Sequence, residues 1–342
     1  MITPGFPKDE EDTECIPALQ IFMEALALKD QFRITVIALE YPQQEKHYQW
    51  NGVPVIALAE KRLTSWKLFR TLVEVNTKRK IDLFHIFWFQ RHAWVANIFA
   101  SLNRIPLILT LMGQDAIQDG LWWKTLINRR FIFVTLTDYQ DQRFKSKSGC
   151  RKTTLIPWGI EKFTIRADSK RAIDILGAGW FTMVKNYSLF LEVICLVNQQ
   201  FPLSRVVLAG KGEQERLIHE LSRQKGLDKI IQFTGLERRK DVLEQMAKSK
   251  IFLHTSSYES FSMVLAEAIA SGCKVVSTPV GIAFSDSSIE TGTLASELSG
   301  AVVKALKASD SFNPDEKYLV ESTVTQYVAL YTRLLKEVII SD

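Results

Sequence analysis

Two glutamates eight residues apart, Glu259 and Glu267, flank the start of a helical segment that follows the apolar run Ile251–His254. Eight residues are about 2.2 helical turns, so the carboxylates do not stack on one face: Glu259 precedes the helix and Glu267 lies within it. Between them, the backbone N–H groups of Ser262, Met263 and Val264 lack intrahelical acceptors, and a helix start of this kind favours an anion such as phosphate. The same glutamate before a helix also serves as a loop residue or cap with no ligand at all. Lys185 stands before another helical segment, directly after the glycine-containing strand end 177–184, where solvent-facing lysines also occur. Gly210 and Gly212 follow the strand-like run 205–209 and suit either a close backbone approach to a ligand or a tight strand-to-helix turn. His85, at the end of an apolar run, has the options of a satisfied core residue and of acid/base work.

Such groups need strands that end beside one another. Short apolar β-branched runs alternate with longer segments of helical period, the sequence form of βαβ units and a parallel sheet. In the first half the strand-like runs are 33–39, 53–58, 82–88, 106–111, 131–136 and 153–157. The helical stretch 62–79 sets Leu63, Trp66, Phe69 and Val73 on one face. The opening strand has only Met1–Thr3 before Pro4-Gly5, so it is either very short or lacks residues that would precede it. The pattern pauses between 157 and 170, then resumes with strands near 172–179, 205–210, 230–235, 250–256 and 274–278. Helices are expected over 186–199, 213–224, 239–248 and 262–271. The chain thus reads as an α/β protein of two doubly wound domains, 1–165 and 166–342, and its 342 residues suit two domains. A terminal helix over 322–338, with Val324, Tyr327, Leu330, Tyr331 and Leu334 on one face, has the option of packing back on the first domain.

The segment 175–283 resembles the nucleotide-binding domain of the retaining family-4 (group 1) glycosyltransferases of the GT-B fold. Four pieces carry the resemblance in order: GAGWFTMVKNY from 177, VLAGKGEQERL from 207, QFTGLERRKDVLEQM from 232 and IFLHTSSYESFSMVLAEAIASGCKVVSTPVG from 251. The first half matches more loosely through DLFH from 82, PLILTLMGQD from 106 and LIPWGIEKF from 155. The resemblance implies two Rossmann-like domains facing across a cleft, the first on the acceptor side and the second binding a nucleotide sugar. It implies Lys185 on the donor diphosphate, Glu259 on the donor sugar and Glu267 on the ribose hydroxyls, a task suited to an acceptor-only carboxylate. Gly210, Gly212, Leu236, Ser262, Met263 and Val264 complete the implied donor site. Gly5, His85, Met112, Gly113 and Asp115 are the implied acceptor-side residues. Three positions depart from the family pattern: Trp180 stands where an arginine is usual, Met112 where a histidine is usual, and Ser262 where a glycine is usual.

Departure of a diphosphate gathers negative charge, so aimed donors are the main catalytic need. No Asp-x-Asp occurs, which speaks for a metal-independent reaction with no cofactor beyond the nucleotide sugar. P-loop, GxGxxG and HExxH patterns are absent as well, and the four cysteines form no CxxC pair. The expected reaction is retaining transfer of a sugar to a glycan, lipid-linked or small-molecule acceptor. The alternatives are a non-catalytic GT-B protein that binds a nucleotide sugar or a partner, and an epimerase on the same fold. The net charge is +5, and residues 1–166 carry 23 Lys or Arg against 17 Asp or Glu, so the excess lies in the first half. That asymmetry, and the basic stretch 61–80, suit a peripheral contact with an anionic membrane; nucleic acid is not expected. With no visible signal sequence or membrane span, a cytoplasmic location is expected.

Overall fold

The computed structural model describes residues 1–59, 65–117, 131–162, 171–203, 205–308 and 314–341. The chain divides into two units: Met1–Glu161 together with Leu319–Asp342, and Lys162–Tyr318.

In the first unit the strands are β1 (Ile2–Gly5), β2 (Val36–Tyr41), β3 (Lys46–Trp50), β4 (Val53–Ala57), β5 (Phe84–Phe87), β6 (Leu107–Thr110), β7 (Phe131–Thr135) and β8 (Thr154–Leu155). They form one sheet in the order β3-β4-β2-β1-β5-β6-β7-β8, parallel throughout except for β3, which pairs antiparallel with β4. The helices are α1 (Pro17–Ala27), α2 (Ser65–Lys78), α3 (Arg91–Asn103) and α4 (Asp138–Ser148). Thr137 starts α4 by accepting the Gln140 N–H, and Gly149 ends it at a φ of 72°.

Helix α2 does not bury the face expected from sequence. Leu68 and Leu72 are fully buried and Phe69 packs edge-on against Phe99, whereas Trp66 is 74% exposed and Val73 is 43% exposed. The buried pair is spaced i, i+4, so the packed stripe is rotated by up to two residues from the one assigned. Leu63 and the start of the basic stretch lie outside the described residues.

The second unit contains β9 (Ile173–Ala178), α5 (Tyr187–Gln200), β10 (Val206–Ala209), α6 (Glu215–Gln224), β11 (Ile231–Gly235), α7 (Arg239–Ala247) and β12 (Ser249–His254). It continues with α8 (Met263–Ala270), β13 (Lys274–Ser277), β14 (Glu290–Thr291) and α9 (Ala295–Lys307). Its sheet is parallel, with order β11-β10-β9-β12-β13-β14, the doubly wound 3-2-1-4-5-6 pattern. At the amino ends of its strands the buried guanidinium of Arg171 donates to the carbonyls of Ser249 at 2.6 Å, Ser271 at 2.8 Å and Met246 at 3.2 Å. That one side chain ties the ends of α7 and α8 to the start of β12.

The terminal helix α10 (Val320–Ser341) lies in the first unit and packs on α1. Val324, Tyr327, Leu330, Tyr331 and Leu334, the face read from sequence, are all buried. Aliphatic side chains of this kind each contribute roughly 1.5–3 kcal/mol on burial. No helix among the described residues is long and apolar enough to cross a membrane.

Candidate active site

In the second sheet, β9 and β12 are neighbours although their following connections lead to opposite sides of the sheet order. The carboxyl ends of such a pair form the crevice where doubly wound sheets bind ligands. The loops that leave these ends are stapled together. Ser257 N–H donates to the Val184 carbonyl at 2.7 Å, and Thr255 Oγ1 donates to the Lys185 carbonyl at 3.1 Å. The loop after β13 joins them: Thr278 N–H donates to the His254 carbonyl, Thr278 Oγ1 to the Ser256 carbonyl, and Ile282 N–H to the Phe261 carbonyl.

This stapling brings the two predicted catalytic residues into contact. Lys185 Nζ lies 2.5 Å from Glu259 Oε1. Ser256 Oγ donates to the same oxygen at 2.8 Å, and His254 Nε2 is 3.3 Å from it. Burial pushes the Glu259 carboxyl up, but the charge of Lys185 beside it outweighs burial and holds the carboxyl down at about 2. The carboxylate is therefore ionised throughout the neutral range.

Helix α8 begins just beyond. Ser262 is its N-cap, yet its side chain gives the helix no capping hydrogen bond. Leu265 N–H already reaches the Ser262 carbonyl, while among the described residues none accepts from Met263 or Val264 N–H. Those half-buried N–H groups at a positive helix end are available to an anion. Ser262 itself sits at φ 76°, the left-handed region that a serine enters only at a cost.

Glu267 lies in the second turn of α8, 7% exposed, and its Oε1 accepts from Arg239 Nε at 2.7 Å. Arg239 opens α7, so that pair joins the two helices. Leu236, just past β11, remains 57% exposed at the carboxyl end of the sheet, and Trp180, just past β9, is 60% exposed.

Gly210 and Gly212 have a reason that involves no ligand. A Cβ on Gly210 would lie 2.0 Å from the Gly179 carbonyl oxygen, and one on Gly212 would lie 2.6 Å from that of Phe181. Only glycine lets these two loops pack, and the packing fixes the backbone on either side of Trp180.

The expected acceptor-side residues are distributed differently. His85 is 1% exposed, with Nδ1 bonded to Tyr331 OH at 2.6 Å and Nε2 to Thr110 Oγ1 at 2.8 Å. Burial drives its pKa well below the usual histidine value, so it is a neutral core residue beneath α10 that an acceptor cannot reach. Asp115 is likewise buried: its carboxylate accepts the N–H groups of Phe89, Met112 and Gly113 and clamps the loops after β5 and β6. Met112 and Gly113 remain half-buried on that clamp. Gly5 closes β1 and is covered by Tyr41, Cys15 and Ile16.

Sequence reading missed His254, Ser256, Ser277 and Arg239. His254 is the last residue of β12, whereas His85, expected at the end of an apolar run, is the second residue of β5, so the strand continues past it and it stays under α10 instead of reaching a carboxyl end.

Residues 161–286 match the family model of the Glycosyl transferases group 1, a span covering most of the second unit and all of the residues around Glu259. The second unit belongs to the group 1 glycosyl transferases. The chain is 33% identical over 154 residues to the phosphatidylinositol N-acetylglucosaminyltransferase gpi3 subunit of Schizosaccharomyces pombe. That alignment covers 44% of this chain and 34% of the relative, so the chain spans about a third of the relative's length. Among solved structures, sucrose-phosphate synthase from Thermosynechococcus elongatus superposes with a TM-score of 0.73 at 17% identity over 93% of each chain. Anabaena HepE, solved with UDP and glucose, superposes with a TM-score of 0.66 at 16% identity over 100% of this chain and 99% of its own. At such identities the likeness speaks for the fold, which is GT-B, and the chain shares it over nearly its whole length.

Proposed function

We propose that this chain is a retaining glycosyltransferase that moves a sugar from a nucleoside diphosphate donor without a metal ion or resident cofactor. The carrying observation is the Lys185–Glu259 pair in front of the open N-terminus of α8, at the switch point of the second sheet. Lys185 and the N–H groups of Met263 and Val264 stabilise the departing diphosphate, the role a metal fills elsewhere. Glu259 holds hydroxyls of the transferred sugar. Glu267, steadied by Arg239, takes the ribose diol, and Leu236 lies against the base. HepE was solved with UDP and glucose, which supports a nucleotide sugar as the donor.

The acceptor is a glycan, a lipid-linked molecule or a small molecule. The name of the gpi3 relative gives weight to a lipid, as does the positive excess in the first half of the chain. Such an acceptor calls for a cytoplasmic protein in peripheral contact with an anionic membrane. Salt-insensitive activity and no sedimentation with anionic vesicles would remove that part of the reading.

The test is donor-dependent release of nucleoside diphosphate across a panel of nucleotide sugars. Lys185→Ala and Glu267→Ala should abolish it, and normal turnover in both would sink the assignment. Trp180, exposed and uncharged beside the crevice, favours a second reading, in which the protein binds a nucleotide sugar without transferring it. Tight donor binding with no turnover on any acceptor would establish that reading instead.

A further inference from the structure

Three groups converge on a single oxygen of Glu259. Lys185 Nζ, Ser256 Oγ and His254 Nε2 lie 2.5, 2.8 and 3.3 Å from Oε1. None of the hydrogen bonds among the described residues ends on Oε2, which leaves that oxygen for a ligand. His254 is 4% exposed and bonded on both sides of its ring. Its Nδ1 is 3.0 Å from Ser277 Oγ, whose own hydrogen goes to the Thr278 carbonyl at 2.8 Å. Ser277 therefore accepts from Nδ1–H, and Nε2, facing Glu259, is the nitrogen that can gain a proton.

One ammonium cannot fully serve two anions. If Lys185 turns to a bound diphosphate, a buried carboxylate loses its counter-ion, a costly state unless another cation replaces it. His254 is the group in place to do so. We propose that binding of a nucleoside diphosphate draws Lys185 away from Glu259, and that His254 takes up a proton at Nε2 and becomes the counter-ion that keeps Glu259 ionised and aimed. The proposal rests on the reading of Lys185 as a diphosphate ligand. Lys185 keeps all its hydrogens, and the proton that arrives on His254 comes from solvent.

The surroundings favour such an exchange. Before the nucleotide binds, burial disfavours the imidazolium, Glu259 favours it and the Lys185 charge opposes it; moving the ammonium removes one of the two opposing influences. The charged groups facing His254 are Glu259 and Lys185, with Tyr187 near Glu259. From β13 and α8 it meets only hydroxyls, those of Ser277 and Ser262. His254 acts through Glu259 and is a positioning residue.

Calorimetric titration with UDP near neutral pH, repeated in buffers of different ionisation enthalpy, reads the number of protons taken up. The wild type should show uptake of up to about one proton beyond that of His254→Asn, whose amide keeps the donor toward Ser277 but has no titrating nitrogen. Equal uptake in the two proteins overturns the inference. If the variant binds no UDP, histidine NMR of the wild type decides: His254 must titrate at higher pH with UDP than without it, and an unchanged titration overturns the inference. Failure of the wild type to bind any nucleoside diphosphate would instead overturn the proposed function, so the two failures are distinguishable.

Discussion

The hydroxyl of Thr255 donates to the main-chain carbonyl of Lys185 at 3.1 Å, so the loop that carries the cation is fixed to the loop that carries its carboxylate partner. Thr255 is buried, and Thr255→Val keeps its shape while removing the donor. Loss of that bond should cost about 1 kcal/mol of stability. Urea unfolding should show that loss, and nucleoside diphosphate release should fall with it. A variant with unchanged activity would show that Lys185 is held by other contacts.

The Lys185–Glu259 pair also predicts a pH dependence. The native carboxyl titrates at about 2, below its ordinary value, so the pair's contribution is complete above the ordinary range and is lost as pH falls toward the native value. Thermal midpoints of the wild type should drop steeply between about pH 4.5 and pH 2, and those of Glu259→Gln less steeply over the same interval. Parallel curves would mean that the pair contributes nothing to acid stability.

Ser262 occupies a left-handed backbone at φ 76°, where glycine is free of the Cβ conflict. Ser262→Gly should raise stability by up to about 1 kcal/mol, net of the greater freedom of the unfolded chain. Denaturant midpoints check this, and a clear loss would mean that the weak contact of Ser262 Oγ with His254 at 3.5 Å outweighs the strain.

In the first unit, Tyr331→Phe deletes the hydroxyl bonded to His85 Nδ1. A buried ring nitrogen left without its partner should cost about 1–3 kcal/mol. UDP affinity should be unchanged, because the residues proposed to hold the nucleotide are all in the second unit. A large drop in UDP affinity without a drop in stability would return His85 to a functional role.

The second half was largely legible because its period changes from two to 3.6 at each boundary, and because the loops that carry Lys185 and Glu259 follow strands of a regular parallel sheet. The pair Lys185 and Glu259 could be named from sequence, but their contact depends on β9 and β12 being neighbours, a fact of strand order. His254 and Arg239 were hidden for the same reason: each acquires meaning only from the carboxylate that topology sets beside it. In the first half, β3 escaped although Asn51-Gly52 marks a tight hairpin turn, since its residues alternate polar with aromatic and lack the aliphatic runs that defined the other strands. The buried face of α2 differs from the expected one because its packing on α3 selects Leu68, Phe69 and Leu72 and leaves Trp66 and Val73 toward solvent, a choice that helical spacing alone does not make.

The return of α10 to the first unit has a consequence for biogenesis. Tyr327 and Tyr331 fill the space over His85, Phe22 and Trp158, yet they come after the whole of residues 162–318 in chain order. A chain emerging from the ribosome completes residues 162–318 as a continuous unit before the piece that closes the first one becomes available. The order in which the halves mature is thus the reverse of the order in which they are translated, and the nascent N-terminal sheet must wait with one flank uncovered.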